Sequence, residues 1–232
     1  MTTARAGDIG MYYELHGSGD PLVLIGGLAS DISQWGWLTA WCAQTHHVLA
    51  FDNRGAGRTD KPDAPYTIPM MASDTDALME VVGMSHATVL GISMGGRIAL
   101  DLALNHGDRV SRLILVSTRA SAKPEGSNSR ADILGVLSGV LFRGKYPQPR
   151  KAFARQRDAS RAYDCMDRLD EIRVPTTILH GRKDKLALLR DAESMHRGIP
   201  GSKMVTFNGG HLFFLMRERT RFLECVTVAT AA

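Results

Sequence analysis

Short apolar, β-branched runs alternate along this chain with stretches whose apolar positions recur at helical spacing. "MYYEL" (Met11 to Leu15), "PLVLIGG" (Pro21 to Gly27) and "HHVLAFD", ending at Asp52, read as strands. So do Ala87 to Leu90, "RLILVS" (Arg112 to Ser117), "TTILHG" (Thr176 to Gly181) and "KMVTF" (Lys203 to Phe207). Met71, Leu78, Val81 and Val82 place an apolar stripe on a helix from Met70 to Val82. A second helix is predicted from Met94 to about His106, and "HLFFLMRERTRFLECVTV" reads as a closing helix. Continuous apolar strands separated by helices predict an α/β architecture: a mostly parallel central sheet flanked by helices on both faces. The Gly-, Ser- and Asp-bearing "HGSGD" predicts a tight turn, with the two strands it joins forming an antiparallel edge.

The alternation lapses between residues 119 and 173. "SAKPEGSNSR" and "GKYPQPRK" have loop composition, "ADILGVLSGVLF" is apolar nearly all round, and "AFARQRDASRAYDCMDRLDEI" is helical. A strandless stretch of that length between two sheet strands predicts a short helical cap at 119–173, inserted in a core made of 1–118 and 174–232. Leu137 and Leu141 sit on the apolar cap helix and are candidate substrate-binding residues if that helix roofs the site. Packing onto the core explains the same pattern equally well.

Composition narrows the function classes. The chain has 232 residues, with 44% hydrophobic and 22% charged, as in an ordinary globular domain. The first ten residues, "MTTARAGDIG", hold no apolar core of signal-peptide length, and no apolar run reaches membrane-spanning length. Three widely spaced cysteines (Cys42, Cys165, Cys225), without a CxxC, fit free thiols in a reducing cytoplasm better than a disulfide frame or a zinc site. The net charge of +4 is not gathered into a basic run, which argues against nucleic acid as a partner. Oligomeric state leaves no signature in the sequence.

One motif carries chemistry. Gly91-Ile92-Ser93-Met94-Gly95 fits G-x-S-x-G where a predicted strand hands over to a predicted helix. A serine hydroxyl acts as a nucleophile when it projects beside a base. A very tight strand-to-helix turn achieves this, and glycines two before and two after remove the Cβ atoms that would collide. The helix opening at Met94 turns its first amides toward the reacting centre. The base and its orienting carboxylate should follow in the order serine, acid, histidine. "NGGHLFF" places His211 just past the last strand, and "ILHGRKDKL" places Asp184 just past another. His180, inside a strand end, is a weaker candidate. After the early strand, the glycines of "LIGGLAS" let the backbone turn inward, so the amides of Leu28 and Met94 are candidate oxyanion donors.

Gly26 to Leu28, "FDNRGAGRTDKP", "GISMGG", "RLILVST", "VPTTILHGRKD" and "GGH" (Gly209 to His211) together resemble the α/β-hydrolase fold superfamily, in particular its esterase, lactonase and cofactor-free perhydrolase branch. The resemblance covers nearly the whole chain outside the cap. It implies an α/β-hydrolase fold with Ser93 as nucleophile, His211 as base, Asp184 as orienter, and Leu28 and Met94 as oxyanion amides. It implies that Asp52, Arg54, Gly55 and Gly57 form a structural turn beside the site. Relatives usually carry histidine where Gly26 stands, so support for that loop must come from elsewhere. The expected activity is hydrolysis of a small-molecule carboxylic ester or lactone through an acyl-enzyme, with no metal and no cofactor. The same triad can also cleave carbon–carbon bonds of diketones or form peracids, and the fold can serve as a ligand receptor.

Overall fold

The computed structural model describes residues 2–121, 144–146, 148–215 and 217–231. Its strands are β1 (Thr2–Ala6), β2 (Ile9–His16), β3 (Asp20–Ile25), β4 (His46–Phe51), β5 (Ala87–Ile92), β6 (Val110–Val116), β7 (Thr176–Gly181) and β8 (Lys203–Phe207). They form one sheet in the order β1-β2-β4-β3-β5-β6-β7-β8, antiparallel where β1 meets β2 and β2 meets β4, and parallel from β4 to β8. The described helices are α1 (Gly36–Cys42), α2 (Ile68–Val81), α3 (Met94–Asn105), α4 (Arg150–Ala162), α5 (Leu189–Gly198) and α6 (Arg219–Thr230).

Both faces of the sheet are buried, which is why the central strands read as unbroken apolar runs. Successive residues feed opposite sides. Val23, Ile25, Val89, Leu113 and Leu115 join one apolar cluster with α2 and α3, while Leu22, Leu24, Leu90, Ile114 and Val116 join a second with α1 and α6.

The expected antiparallel edge differs in its partners. β2 and β3 do not pair: β4 lies between them, antiparallel to β2 and parallel to β3. The "HGSGD" turn explains the step. Gly17 (φ 68°) and Gly19 (φ 115°) press against the backbone of Ala43, Thr45 and His46, where any Cβ would collide with a carbonyl oxygen. The turn therefore passes under the lead-in to β4 instead of closing a hairpin. The hairpin partner of β2 is β1, whose "TTARA" buries only Ala6 fully and so carries no apolar run to read.

The predicted closing helix is divided. Phe213–Leu215 make a single tight turn, and α6 starts at Arg219. Phe213 stacks on Phe207 at 4.2 Å, and Phe214 and Phe222 complete the aromatic cluster that locks this end of the chain onto the sheet. The predicted 152–172 helix likewise ends at Ala162 and resumes as a short turn, Met166–Glu171. Leu137 and Leu141, with the apolar helix expected around them, lie outside the described residues. Among the described residues no helix is long and apolar enough to cross a membrane.

Candidate active site

Ser93 stands alone between β5 and α3, at φ 56° and ψ −114°. A non-glycine residue at positive φ is strained and persists only where its surroundings over-determine it. Here they do. The Ser93 amide donates to the Val116 carbonyl (2.9 Å), and the Ser93 carbonyl accepts from the Gly96 amide (3.0 Å) and Thr118 Oγ1 (2.7 Å). A Cβ on Gly91 would overlap the Gly95 carbonyl, and one on Gly95 would overlap that of Ile25. The two motif glycines are thus the close approaches that let strand, turn and helix meet.

Three predicted residues converge on one line of hydrogen bonds. Ser93 Oγ lies 2.9 Å from His211 Nε2, and His211 Nδ1 lies 2.8 Å from Asp184 Oδ2. Asp184 is 4% exposed. Its Oδ1 accepts from the amides of Leu186 (2.8 Å) and Ala187 (3.1 Å), which leaves Oδ2 facing the imidazole. The two loops that bring these side chains in are tied to each other. The Arg182 amide donates to the Phe207 carbonyl and the Lys183 amide to that of Gly209, both at 2.8 Å. Ser117 Oγ then fixes the His211 carbonyl at 2.8 Å. With Nδ1–H donated to the carboxylate, Nε2 is left to accept the serine proton.

His180 is a second buried histidine beside this line. Its Nε2 lies 2.9 Å from the Ala187 carbonyl and 3.6 Å from Asp184 Oδ2. Burial pushes its pKa below the ordinary 6.5, against the pull of the Ala187 bond and the Asp184 charge.

Leu28 lines the same cavity as the serine, on a loop where Gly27 packs against Ile92 and Ser93. Met94 is the first residue of α3, where a helix amide has no intrahelical acceptor. Ser30 holds the Gly27 carbonyl through its amide (3.3 Å) and its Oγ (2.8 Å), and Asn53 Nδ2 holds that of Gly26 (3.0 Å). Asn53 belongs to the turn after β4. Within that turn Asp52 accepts the amides of Ile32 and Arg58 (both 2.8 Å), and buried Arg54 clasps Asp74 through Nε (2.7 Å) and Nη2 (2.6 Å). These residues brace the Gly26–Ser30 loop, and Asp52, Asn53, Arg54 and Asp74 are not part of the cavity lining at Ser93.

A cavity of about 150 Å³ opens over Ser93, walled by Leu28, Trp35, Ile92, Phe153, Leu186 and Leu212, with no Lys, Arg, Asp or Glu among the described residues of its lining. Trp35 and Phe153 carried no chemical motif in the sequence; their aromatic character is their sole signal. A wider cavity of about 860 Å³ lies between the 63–69 loop, the second half of α3 and α4, and includes none of Ser93, Asp184 or His211. Among the described residues, no group of His, Cys, Asp and Glu is arranged to hold a metal ion.

Known proteins share this arrangement of chain. A family model described as alpha/beta hydrolase fold matches residues 20–151. A putative carbamate hydrolase, RutD, from Azorhizobium caulinodans is 27% identical, over 92% of this chain and 92% of its own. A 3-oxoadipate enol-lactonase from Acinetobacter baylyi is 23% identical, over 90% and 89%. The structure of an esterase from Exiguobacterium antarcticum superposes with a TM-score of 0.87 at 28% identity, over 100% of this chain and 99% of that one. The eight-stranded sheet, the serine at its strand-to-helix turn and the family match together identify the chain as a hydrolase belonging to the alpha/beta hydrolase fold family.

Proposed function

We propose that the protein hydrolyses a small carboxylic ester or lactone through Ser93, His211 and Asp184. The observation that carries this reading is the unbroken hydrogen-bonded line from Ser93 Oγ through both ring nitrogens of His211 to buried Asp184. Ser93 Oγ attacks the substrate carbonyl carbon while His211 Nε2 takes the hydroxyl proton. The carbonyl π pair moves to oxygen, and the amides of Leu28 and Met94 receive the oxyanion. Collapse of the tetrahedral species breaks the bond to the leaving oxygen, which takes the proton back from His211. Water, deprotonated by the same imidazole, then releases the acid and restores Ser93. Asp184 keeps the imidazole in the tautomer these steps need.

The site's dimensions and lining support neutral substrates with a small apolar acyl group or ring. The described residues lining this cavity of about 150 Å³ are mostly apolar and include no cationic side chain to pair with a substrate carboxylate. We assign residues 119–173 as a cap over the core, with Phe153 as its described contribution to the cavity wall. Buried free thiols at Cys42 and Cys165 fit a reducing cytoplasm.

The deciding experiment is phosphonate labelling with parallel ester and lactone assays. A p-nitrophenyl phosphonate should modify Ser93 alone, and Ser93→Ala should fold normally while losing on the order of a million-fold in turnover. Label on another serine, or an active Ser93→Ala protein, would overturn the assignment.

A further inference from the structure

We infer that Gln156, on α4, is a positioning residue for the oxyanion loop. The inference rests on the hydrolase reading above. It adds that the loop's geometry is set from the 119–173 segment as well as from the core.

Gln156 is wholly buried. A buried carboxamide must satisfy both of its ends. Its Oε1 accepts from the Ala29 amide at 3.2 Å and from Gln148 Nε2 at 2.8 Å. Its Nε2 donates to the Arg54 carbonyl at 2.7 Å. One side chain therefore spans from the turn after β4 to the residue that follows Leu28. Ala29 holds φ 62°, a left-handed conformation that costs a residue with a Cβ free energy and needs external support. The Ala29 amide is where that support arrives.

The other brackets on this loop, Asn53 on the Gly26 carbonyl and Ser30 on that of Gly27, act before Leu28 in the chain. Gln156 acts after it. The Leu28 amide is thus fixed from both sides, and among the described residues the second fixation comes from outside the sheet domain's own loops. Phe153, one turn earlier on α4, walls the cavity. The same helix shapes the acyl side of the site and steadies its oxyanion side. Arg54 contributes a rigid anchor, because its guanidinium is bonded to Asp74 and Asp8.

The test compares Gln156→Met with Gln156→Glu. Met loses the bond to the Arg54 carbonyl, and so does Glu as a carboxylate. Glu retains an acceptor for the Ala29 amide and for Gln148 Nε2, and Met retains neither. Gln148→Met, which removes the Gln148 contact but leaves the Ala29 bond, is the control that separates the two. Each is assayed for kcat, KM and the affinity of a trifluoromethyl ketone, whose adduct with Ser93 places an oxyanion where the transition state does. Gln156→Met should lower kcat about 10- to 100-fold with KM within twofold, because a displaced donor costs less than a deleted one. The ketone should weaken by the same factor, and Gln156→Glu should recover most of both. If Gln156→Met does not fold, Gln156→Asn, one methylene too short to reach Ala29, should show the same joint loss. A folded Met or Asn variant with kcat within twofold of wild type overturns the inference. So does a loss confined to KM, or a kcat loss without weaker ketone binding, or a Glu variant no better than Met. Failure of the hydrolase reading looks different: wild-type protein would then form no Ser93 adduct with the phosphonate or the ketone.

Discussion

Trp35 occupies the space that a side chain at Gly26 would need. A Cβ on Gly26 would stand 2.8 Å from Trp35 Nε1 and 2.7 Å from Ser30 Oγ. The indole is held in turn by Phe214, at 6.1 Å between ring centroids. The start of the loop that carries Leu28 is packed against an aromatic edge that leaves no room for a side chain. Gly26→His should therefore destabilise by about 1–3 kcal/mol through overpacking. Trp35→Ala should cost about 3–5 kcal/mol on its own. Because the two side chains compete for one volume, the double variant should lose clearly less than the sum. Urea unfolding of the four proteins measures the coupling; strict additivity would show that Gly26 and Trp35 do not share that space.

Asp184 is held more firmly than a loop carboxylate needs to be. Two backbone amides grip Oδ1, and only Oδ2 is turned to His211 Nδ1. Asp184→Asn keeps the shape, but an amide nitrogen facing Nδ1 forces the proton onto Nε2, where it blocks acceptance from Ser93. Turnover should fall by roughly ten-thousand-fold with the fold intact. Asp164→Asn, Asp167→Asn and Asp170→Asn, on the segment after α4, should leave turnover near normal. A nearly active Asp184→Asn protein would mean that another carboxylate orients the base.

These contacts show what a linear reading can and cannot reach. Ser93, Asp184 and His211 were candidates because serine-hydrolase chemistry would want those residue types at strand ends, and the structure brings Ser93 and Asp184 each within hydrogen-bond distance of His211; glycines mark where the backbone passes closely. β7 was legible to the residue because it is buried along nearly its whole length, and β8 because Met204, Val205 and Phe207 keep an apolar signal although only Phe207 is fully buried. β1 was not, because its "TTARA" carries no apolar run. The step of the chain past β4 depended on glycines meeting the backbone at Ala43 to His46, a contact between segments that no local pattern encodes. Gln156 and Trp35 escaped for the same reason. A buried glutamine on a polar helix looks solvent-facing until its three partners, two of them more than 100 residues away in sequence, are in place.

His180 should make stability pH-dependent. It is fully buried, its Nε2 is bonded to the Ala187 carbonyl, and its Nδ1 has no partner among the described residues. Burial is the chief cause that depresses its pKa below 6.5, and the nearby His211 adds to it; Asp184 and Asp191 pull the other way. The unfolded chain therefore takes up a proton near pH 6.5 that the native state still refuses. Stability contributed by neutral His180 is present above that pH and lost as pH falls toward the folded pKa, at up to about 1.4 kcal/mol per pH unit for one proton. Thermal unfolding between pH 8 and 5 should show Tm falling on the acid side, and His180→Gln should flatten the slope. Parallel slopes for the two proteins would assign the acid sensitivity to other groups.

Arg54, in the turn that bonds the Gly26–Ser30 loop, forms a buried pair with Asp74, at 2.6 and 2.7 Å, with side chains 4% and 6% exposed. The second carboxylate on Arg54, Asp8, is 72% exposed. Removing one partner of a buried pair strands the other's charge, so Asp74→Ala should cost about 3–5 kcal/mol. Asp8→Ala breaks a solvent-screened contact and should cost at most about 1 kcal/mol. The two variants should part in activity as well. The Arg54 carbonyl receives Gln156 Nε2, and the adjoining Asn53 holds the Gly26 carbonyl. An Arg54 released from Asp74 pulls on both anchors of the Leu28 amide, so Asp74→Ala should lower kcat even where the protein remains folded. Asp8→Ala should leave kcat unchanged. Denaturant midpoints and ester turnover at 20 °C below each variant's Tm separate the two effects. Full kcat in folded Asp74→Ala would show that the turn after β4 supports the fold without setting the oxyanion geometry.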